Sequence, residues 1–231
     1  MEKDRCTAIV LAAGQGRRMN SKIQKQFLEL DGYPVLWYSL QCFQKSPLIQ
    51  DVILVTSEGD ISYCKKEIVE RFGFHKVRAV IPGGRERYDS VYAGLCACEN
   101  TEYVFIHDGA RPFVTEEILQ RGFEAVQDTG ACVAGMPSKD TVKLADESGY
   151  VSETLERARV WNVQTPQVFQ YDLIKKAYDA MQNKDMSKIT DDAMVAELEA
   201  GVKVRFFEGS YRNIKITTPE DLVSAESFLK H

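Results

Sequence analysis

The chain has 231 residues, of which 44% are hydrophobic and 27% are charged, as is typical of a folded globular protein. Its formal net charge of −5 disfavours a nucleic-acid partner, because such binding depends on many cations on one face. No apolar run approaches the roughly 18 residues of a membrane-spanning helix, and no apolar signal-peptide core follows the polar N-terminus. We therefore expect a cytoplasmic protein with no membrane partner.

Short apolar runs that predict strands alternate along the chain with amphipathic segments that predict helices. In the first part of the chain the predicted elements are, in order, strand 7–11, helix 35–43, strand 51–56, helix 61–72, strand 77–81, helix 87–98, strand 103–107, a helix capped by Thr115, and strand 131–136. Gly73 is a natural C-cap for the second of these helices. The helix after Thr115 is expected to bury an apolar stripe of Ile118, Leu119, Phe123 and Val126.

Residues 138–165 interrupt this alternation. A polar hairpin is predicted around the turn-forming residues 146–149, followed by an extended segment through Trp161. Because the hairpin buries little by itself, we expect it to lean on a second subunit; a loose surface hairpin is the alternative. The alternation then resumes with helix 171–181, a helix from about Thr190 to Gly201, strand 202–207, strand 213–217 and a last helix that Thr218 caps and Pro219 begins.

Strands that are apolar throughout, connected by helices, predict a parallel α/β sheet covered on both faces. We expect one domain over residues 1–231, with an arm at about 138–160. Ligands of such sheets bind at the carboxyl ends of the strands, where the loop after strand 7–11 lies.

That first loop reads LAAGQGRRM, from Leu11 to Met19, and Lys25 follows six residues later. Small residues let the backbone approach a ligand and direct N–H groups at it, and the cations match a polyphosphate. A dinucleotide fingerprint would have a third glycine at Met19, and a P-loop would need Gly-Lys-Ser/Thr. The loop therefore favours a nucleoside triphosphate site of another type; an ordinary strand–helix turn with surface arginines is the alternative.

Asp108 follows strand 103–107 within the segment HDGARP. A single carboxylate at the end of a strand suits Mg²⁺, which takes one or two carboxylates and completes its shell with substrate phosphates. The alternative is a helix cap or turn former.

Two further features carry weaker signals. Gly83 and Gly84, followed by Ser90, could bring backbone groups and a hydroxyl to a base edge, although Pro-Gly-Gly is also an ordinary turn. Lys215 lies between Ile214 and Ile216, and alternation puts it on the opposite face from both. That face is either an anion site or open solvent.

Together, seven motifs spanning residues 7–222 closely resemble those of the 2-C-methyl-D-erythritol 4-phosphate cytidylyltransferases of the non-mevalonate isoprenoid pathway. They are LAAGQGRRM, KQF, GG-x-x-R-x-x-SV, HDGARP, DTVK, TPQVF and NIKITTPEDL. The resemblance implies a Rossmann-like nucleotidyltransferase fold, mostly parallel with a protruding β-arm, that forms a homodimer through the arm. It also implies CTP and a sugar-alcohol phosphate as substrates, with Mg²⁺ as cofactor.

The resemblance also implies residue roles, carried over position by position. CTP contacts fall on Ala12, Ala13, Gly14, Gly16, Gly83, Gly84 and Ser90. The expected catalytic cations are Arg18, Lys25 and Lys215. The substrate pocket and the metal-side carboxylate fall on Asp108, Arg111 and Thr165, and the arm residues that reach the other subunit's substrate are Thr141 and Arg157.

The implied reaction needs no general base, because a phosphate oxygen is already anionic at neutral pH. Positioning and electrostatic stabilisation must then supply the catalysis. Two alternatives remain open at this point: a ribitol 5-phosphate cytidylyltransferase, and a non-catalytic nucleotide sensor on the same fold.

One position departs from the family pattern. The chain reads Gln24-Lys25-Gln26 where the family usually reads Pro-Lys-Gln. Without the proline ring, we expect the loop that carries Lys25 to be less constrained and to order on CTP binding.

Overall fold

A seven-stranded sheet forms the centre of the protein in a computed structural model, which describes residues 5–14, 23–182 and 184–230. In chain order its strands are β1 Cys6–Ala12, β4 Ile49–Thr56, β5 Val77–Pro82, β6 Tyr103–Asp108, β7 Ala131–Pro137, β10 Trp161–Gln170 and β11 Arg205–Glu208. The spatial order is β11-β7-β10-β6-β1-β4-β5. A small hairpin of β2 Glu29–Leu30 and β3 Tyr33–Pro34, and the arm of β8 Lys143–Ala145 and β9 Val151–Thr154, complete the strands of the described residues.

The predicted parallel character of the sheet is confirmed for all strands except β10. That strand runs antiparallel between β6 and β7. We predicted an extended segment through Trp161 but no strand beyond it, because Asn162, Gln164 and Gln167 give this stretch too little apolar character. Gln164 and Gln167 are nevertheless buried: Gln164 donates to the Ser210 carbonyl in the loop after β11, and Gln167 accepts the Asp192 N–H at the start of α6.

Helices cover both faces of the sheet, as predicted. Their bounds are α1 Val35–Lys45, α2 Ile61–Tyr63, α3 Arg87–Cys96, α4 Glu116–Thr129, α5 Tyr171–Met181, α6 Asp192–Val195 and α7 Pro219–Leu229. Two of them continue as π-helical stretches, α2 through Cys64–Glu70 and α6 through Ala196–Ala200.

Alternate residues of β1 explain the two layers. Ala8 and Val10 pack into the cluster that α1, α2 and α4 cover, whereas Ile9 packs into the opposite cluster beneath α3 and α5. Gly94 lets α3 come close to the sheet, because a Cβ there would lie 2.5 Å from Ile9 Cγ2. The apolar strands are thus buried on both sides, which is the condition that holds a parallel sheet together.

Two predicted helix ends at glycine are confirmed. Gly73 and Gly201 have φ values of +68° and +63°, the left-handed conformation that ends a helix. Thr115 does precede α4, but its side chain makes no capping hydrogen bond. The predicted stripe of α4 is confirmed, with Phe123 half-buried and its other members buried.

The arm is an antiparallel hairpin whose strand residues are all exposed. It therefore contributes little to the core of its own chain. Within the described residues, no helix is both long and apolar enough to cross a membrane.

The predicted strand 213–217 is wrong, and strand 202–207 begins later than predicted, at Arg205. Residues 213–217 instead run as an irregular segment beside the sheet, where the Ile216 N–H donates to the Ala110 carbonyl at 2.8 Å. Ile214 and Ile216 nevertheless share one side of the segment, as their alternation predicts, and both pack beneath α7. The last helix starts as predicted, with Thr218 and Asp221 forming a reciprocal capping box.

Candidate active site

A cavity of about 710 Å³ opens where β1, β4, β5 and β6 end. This is the edge at which a parallel sheet offers its loops to a ligand. Nine of the predicted site residues line it: Ala12, Ala13, Gly14, Lys25, Gly83, Gly84, Ser90, Asp108 and Lys215. Predicted site residues that are far apart in the sequence therefore line one cavity.

The glycines after β5 permit a close approach of three chain segments. A Cβ on Gly83 would lie 2.6 Å from Ser90 Oγ and 2.8 Å from Ala13 Cβ, so a side chain there would displace α3 or the first loop. The Gly84 N–H donates to Ser90 Oγ at 3.2 Å, which ties this turn to the helix. A Cβ on Gly14 would meet no other described atom within 4 Å, which leaves room for a ligand against the backbone.

Asp108 lies at the other end of the cavity, within reach of three cations. Its carboxylate is 2.8 Å from Lys215 Nζ, 3.4 Å from Arg87 Nε and 3.8 Å from Arg111 Nε. Burial alone would raise the pKa of Asp108, but the charges of Lys215, Arg87 and Arg111 outweigh it and hold that pKa well below its usual range. The carboxylate is therefore ionised at neutral pH, and positive charge dominates this end of the cavity.

Arg87 is oriented by a buried partner, Asp192, that was not predicted from the sequence. Both terminal nitrogens of its guanidinium donate to Asp192 at 2.8 Å, and the Tyr178 hydroxyl donates to the same carboxylate at 2.6 Å. Burial would lower the pKa of Arg87, but the charges of Asp192 and Asp108 raise it well above its usual value. The local pattern at Asp192 indicated only a helix start, so no signal in the chain linked it to the site.

A hydrogen-bonded chain beneath Asp108 holds Thr165 in place. The Asp108 N–H donates to Thr165 Oγ1 at 3.1 Å, and that hydroxyl lies 3.1 Å from His107 Nδ1. His107 Nε2 lies 3.1 Å from the Arg111 carbonyl, which can only accept, so Nε2 carries the proton and Nδ1 accepts from Thr165. Burial lowers the pKa of His107 to about 4, so the neutral ring that this arrangement needs is the stable form.

Asn213 connects the irregular segment 213–217 to Thr165 and Arg111, beside Asp108. Its side-chain amide donates to the backbone carbonyl of Thr165 at 2.9 Å, and its backbone carbonyl accepts from Arg111 Nη1 at 2.7 Å. Together with the bond from Ile216 to Ala110, these contacts fix the segment that carries Lys215. Arg111 and Thr165 thus adjoin Asp108, although they do not line the cavity itself.

The remaining predicted residues lie elsewhere. Thr141 and Arg157 are exposed on and beside the arm and do not line the cavity of their own chain. Gly16 and Arg18 lie outside the described residues.

Asp108 is the candidate for holding a divalent cation. No group of three or more His, Cys, Asp or Glu that could bind a metal occurs among residues 5–14, 23–182 and 184–230. Asp108 Oδ2 bonds to Lys215, whereas the contact of Oδ1 with a cation in the described part of the chain is the longer one to Arg87, at 3.4 Å. A carboxylate oxygen with spare capacity beside a cavity of about 710 Å³ fits Mg²⁺, whose remaining ligands come from phosphates and water.

Comparison with known proteins bears directly on this site. Residues 6–231 match the family model IspD, described as 2-C-methyl-D-erythritol 4-phosphate cytidylyltransferase. Proteins of that name from Lachnospira eligens and Clostridium kluyveri are 47% and 46% identical to the chain. The first alignment covers 97% of this chain and 99% of the relative, and the second covers 96% of each.

Solved structures agree in fold. The 4-diphosphocytidyl-2C-methyl-D-erythritol synthase of Anaerococcus prevotii superposes with a TM-score of 0.86 at 33% identity, over 100% of both chains. The 2-C-methyl-D-erythritol 4-phosphate cytidylyltransferase of Thermus thermophilus gives 0.78 at 29% identity, over 96% of this chain and 98% of that one. The sheet is therefore the Rossmann-like one that the motifs predicted, and the chain belongs to the IspD family of cytidylyltransferases, which are nucleotidyltransferase enzymes.

Proposed function

We propose that the protein transfers a cytidylyl group from CTP to 2-C-methyl-D-erythritol 4-phosphate, a step of the non-mevalonate isoprenoid pathway. A phosphate oxygen of the sugar alcohol attacks the α-phosphorus of CTP, the bond from that phosphorus to the bridging oxygen of the β-phosphate breaks, and pyrophosphate leaves. One observation carries the proposal: the glycine loops line the same cavity as Asp108 and two of its cationic partners, Lys215 and Arg87.

The cation cluster suits a reaction between two anions. Asp192 holds Arg87 and the Asn213 carbonyl holds Arg111, so both guanidiniums supply fixed positive charge. Lys215 is the most accessible of the three, with 36% of its side chain exposed against 30% for Arg87 and 12% for Arg111. We assign it to the α-phosphoryl group, where charge accumulates in the transition state, and Lys25 to the leaving phosphates.

The Asp108 carboxylate would hold Mg²⁺ through Oδ1, with nucleotide phosphates completing the shell. When bound, the cation neutralises phosphate charge and assists departure of pyrophosphate. Asp108 also orients Lys215 through their ion pair. Replacement of Asp108 would therefore disturb two functions at once.

We further propose a homodimer formed through the arm at 138–160. The hairpin exposes three apolar side chains: Leu144 is 47% exposed, Tyr150 75% and Val151 60%. Thr141 and Arg157 lie outside the cavity of their own chain, and the resemblance of the motifs implies that they reach the substrate of the second copy.

The decisive experiment is release of pyrophosphate in the presence of Mg²⁺. We expect it with CTP and 2-C-methyl-D-erythritol 4-phosphate, and far less with UTP or ATP. Faster turnover with ribitol 5-phosphate would favour the related cytidylyltransferase. Tight CTP binding without pyrophosphate release would favour a nucleotide sensor.

A further inference from the structure

Two glutamine side chains flank Lys25 and bond to each other. Gln24 Oε1 accepts from Gln26 Nε2 at 2.5 Å, and Gln24 Nε2 donates to Asp60 Oδ2 at 2.5 Å. The same Asp60 oxygen accepts from the Ser57 hydroxyl. The residue before Lys25 is therefore attached to the turn that follows β4.

This hydrogen-bond network also reaches β1, through Gln26. Gln26 is only 1% exposed, and its Nε2 also donates to the carbonyl of Ala12, the last residue of that strand, at 2.6 Å. The Ala12 carbonyl can only accept, so the nitrogen of Gln26 must face it. At the other end of the network, Asp60 Oδ2 accepts a hydrogen bond, so the side-chain nitrogen of Gln24 must face it. The same orientation of the two side-chain amides also lets Gln24 Oε1 accept from Gln26 Nε2.

Lys25 itself lies in a single short turn, Lys25–Phe27, between these two glutamines. The turn is closed by the Phe27 N–H donating to the Gln24 carbonyl at 2.9 Å. Since a lysine ammonium stands at the end of a flexible four-carbon chain, its mean position follows the orientation of the turn. The bonds of the two glutamines join that turn to β1 on one side and to the turn after β4 on the other.

The backbone of Gln24 has φ −64° and ψ 141°. A proline ring fixes φ near −65°, so hydrogen bonds here hold the conformation that proline would impose covalently. We propose that Gln24, Gln26 and Asp60 form an amide bracket that positions Lys25 toward the phosphates of the nucleotide. The inference rests on the proposed function, which assigns the triphosphate to Lys25, and it revises the expectation that Gln24 loosens this loop.

The test compares Gln24→Ala with Gln24→Pro. We expect Gln24→Ala to weaken CTP binding and lower kcat/KM for CTP about tenfold, the factor that one hydrogen bond to a charged group is worth. Gln24→Pro should stay within about twofold of the wild type, because the ring replaces the lost side-chain bonds. Gln120→Ala, an exposed glutamine on α4, serves as the control for an unrelated truncation.

Combination with Asp60→Ala separates positioning from a general structural effect. We expect Asp60→Ala to lower kcat/KM for CTP about tenfold in the wild-type background and to have little effect in the Gln24→Pro background. In a Lys25→Ala background Gln24→Ala should cause no further loss, because the bracket acts through Lys25. An equal loss from Asp60→Ala in both backgrounds, or wild-type kinetics for Gln24→Ala, would overturn the proposal.

Failure of the bracket is distinguishable from failure of the proposed function. If the wild type releases pyrophosphate and Gln24→Ala matches it, only the bracket is wrong. If the wild type binds CTP but does not turn over, direct CTP binding by calorimetry still reports on the bracket. Thermal unfolding of each variant shows whether a lower affinity reflects loss of the fold instead.

Discussion

At the scale of single residues, charge in the site is balanced by a few buried side chains. Asp108 lies beside Lys215, Arg87 and Arg111, and Arg87 also pairs with Asp192. Lys215 therefore combines an ion pair that positions it with enough exposure to meet a substrate phosphate. Removal of a cation that stabilises transition-state charge has a large effect on rate, because the charge acts only from a fixed position near the reacting phosphate.

We predict that Lys215→Ala and Lys25→Ala each lower kcat/KM by about 10²–10³-fold, as for comparable electrostatic deletions. Steady-state pyrophosphate release measures the change. Lys203→Ala, which removes an exposed lysine elsewhere, should leave the rate unaltered. Turnover close to that of the wild type in either lysine variant would refute the assigned roles.

His107 predicts a pH dependence of stability. Its folded pKa of about 4 lies below the unfolded value near 6.5, so the unfolded chain binds more protons between these values. Stability from this group is complete above about pH 6.5 and is lost as pH falls towards 4, by about 3 kcal/mol in all. Asp108, whose folded pKa is lowered, loses its contribution only below its unfolded pKa of about 3.9.

Urea unfolding between pH 7 and pH 4.5 checks this prediction. The free energy of unfolding of the wild type should fall across that range, and His107→Gln should show a distinctly shallower dependence, whatever its absolute stability. Parallel pH profiles for the two proteins would contradict the neutral, buried state of His107.

At the scale of elements, the segments that were predicted well are those whose residues determine their structure locally. The apolar runs of β1, β4 and β6 and the capped start of α7 are visible in the chain itself. β10 was missed because its polar side chains find partners in elements distant in sequence, as when Gln167 Oε1 accepts the N–H groups of Asp192 and Ala193 at the start of α6. Segment 213–217 looked like a strand because its isoleucines alternate, yet it pairs with no strand of the sheet, and its Ile216 N–H donates to the carbonyl of Ala110 in a loop.

The cap of α7 makes a testable case at this scale. Asp221 Oδ2 accepts the N–H groups of Thr217 and Thr218, both at 2.8 Å, and so holds the segment that carries Lys215 against the helix. We expect Asp221→Ala to lower the free energy of unfolding by about 1 kcal/mol, the usual value of a helix cap. Glu226→Ala, on an exposed part of the same helix, should change it by less than about 0.5 kcal/mol.

Urea denaturation of both variants measures this difference. If Asp221→Ala lowers the free energy of unfolding no more than Glu226→Ala does, the capping box does not stabilise the fold.

At the scale of the whole molecule, the arm stands out from a compact sheet. Its apolar side chains Tyr150 and Val151 are 75% and 60% exposed, and nothing in the described part of its own chain covers them. Burial of such side chains against a second copy would stabilise a dimer and bring Thr141 and Arg157 to another cavity.

We therefore predict that the double substitution Tyr150→Lys with Val151→Asp shifts the protein from dimer to monomer and lowers its activity. Sedimentation velocity measures the oligomeric state, and pyrophosphate release measures the activity. Val223→Asp is the matched control, because Val223 is 68% exposed on α7 and lies outside the arm. A double variant that still sediments as the wild type does would exclude the arm as the dimer contact.

The sequence by itself determined the strand–helix alternation, the glycine loops at the strand ends and the family, because each depends on residues close together in the chain. Only the tertiary structure decided the order of the strands, the antiparallel insertion of β10 and the pairing of Arg87 with Asp192, which lie 105 residues apart. It also decided that Gln24 bonds to Asp60. The physical reason is that local patterns report which face a residue presents, whereas a buried charge or amide finds its partner only when the sheet brings distant loops to one edge.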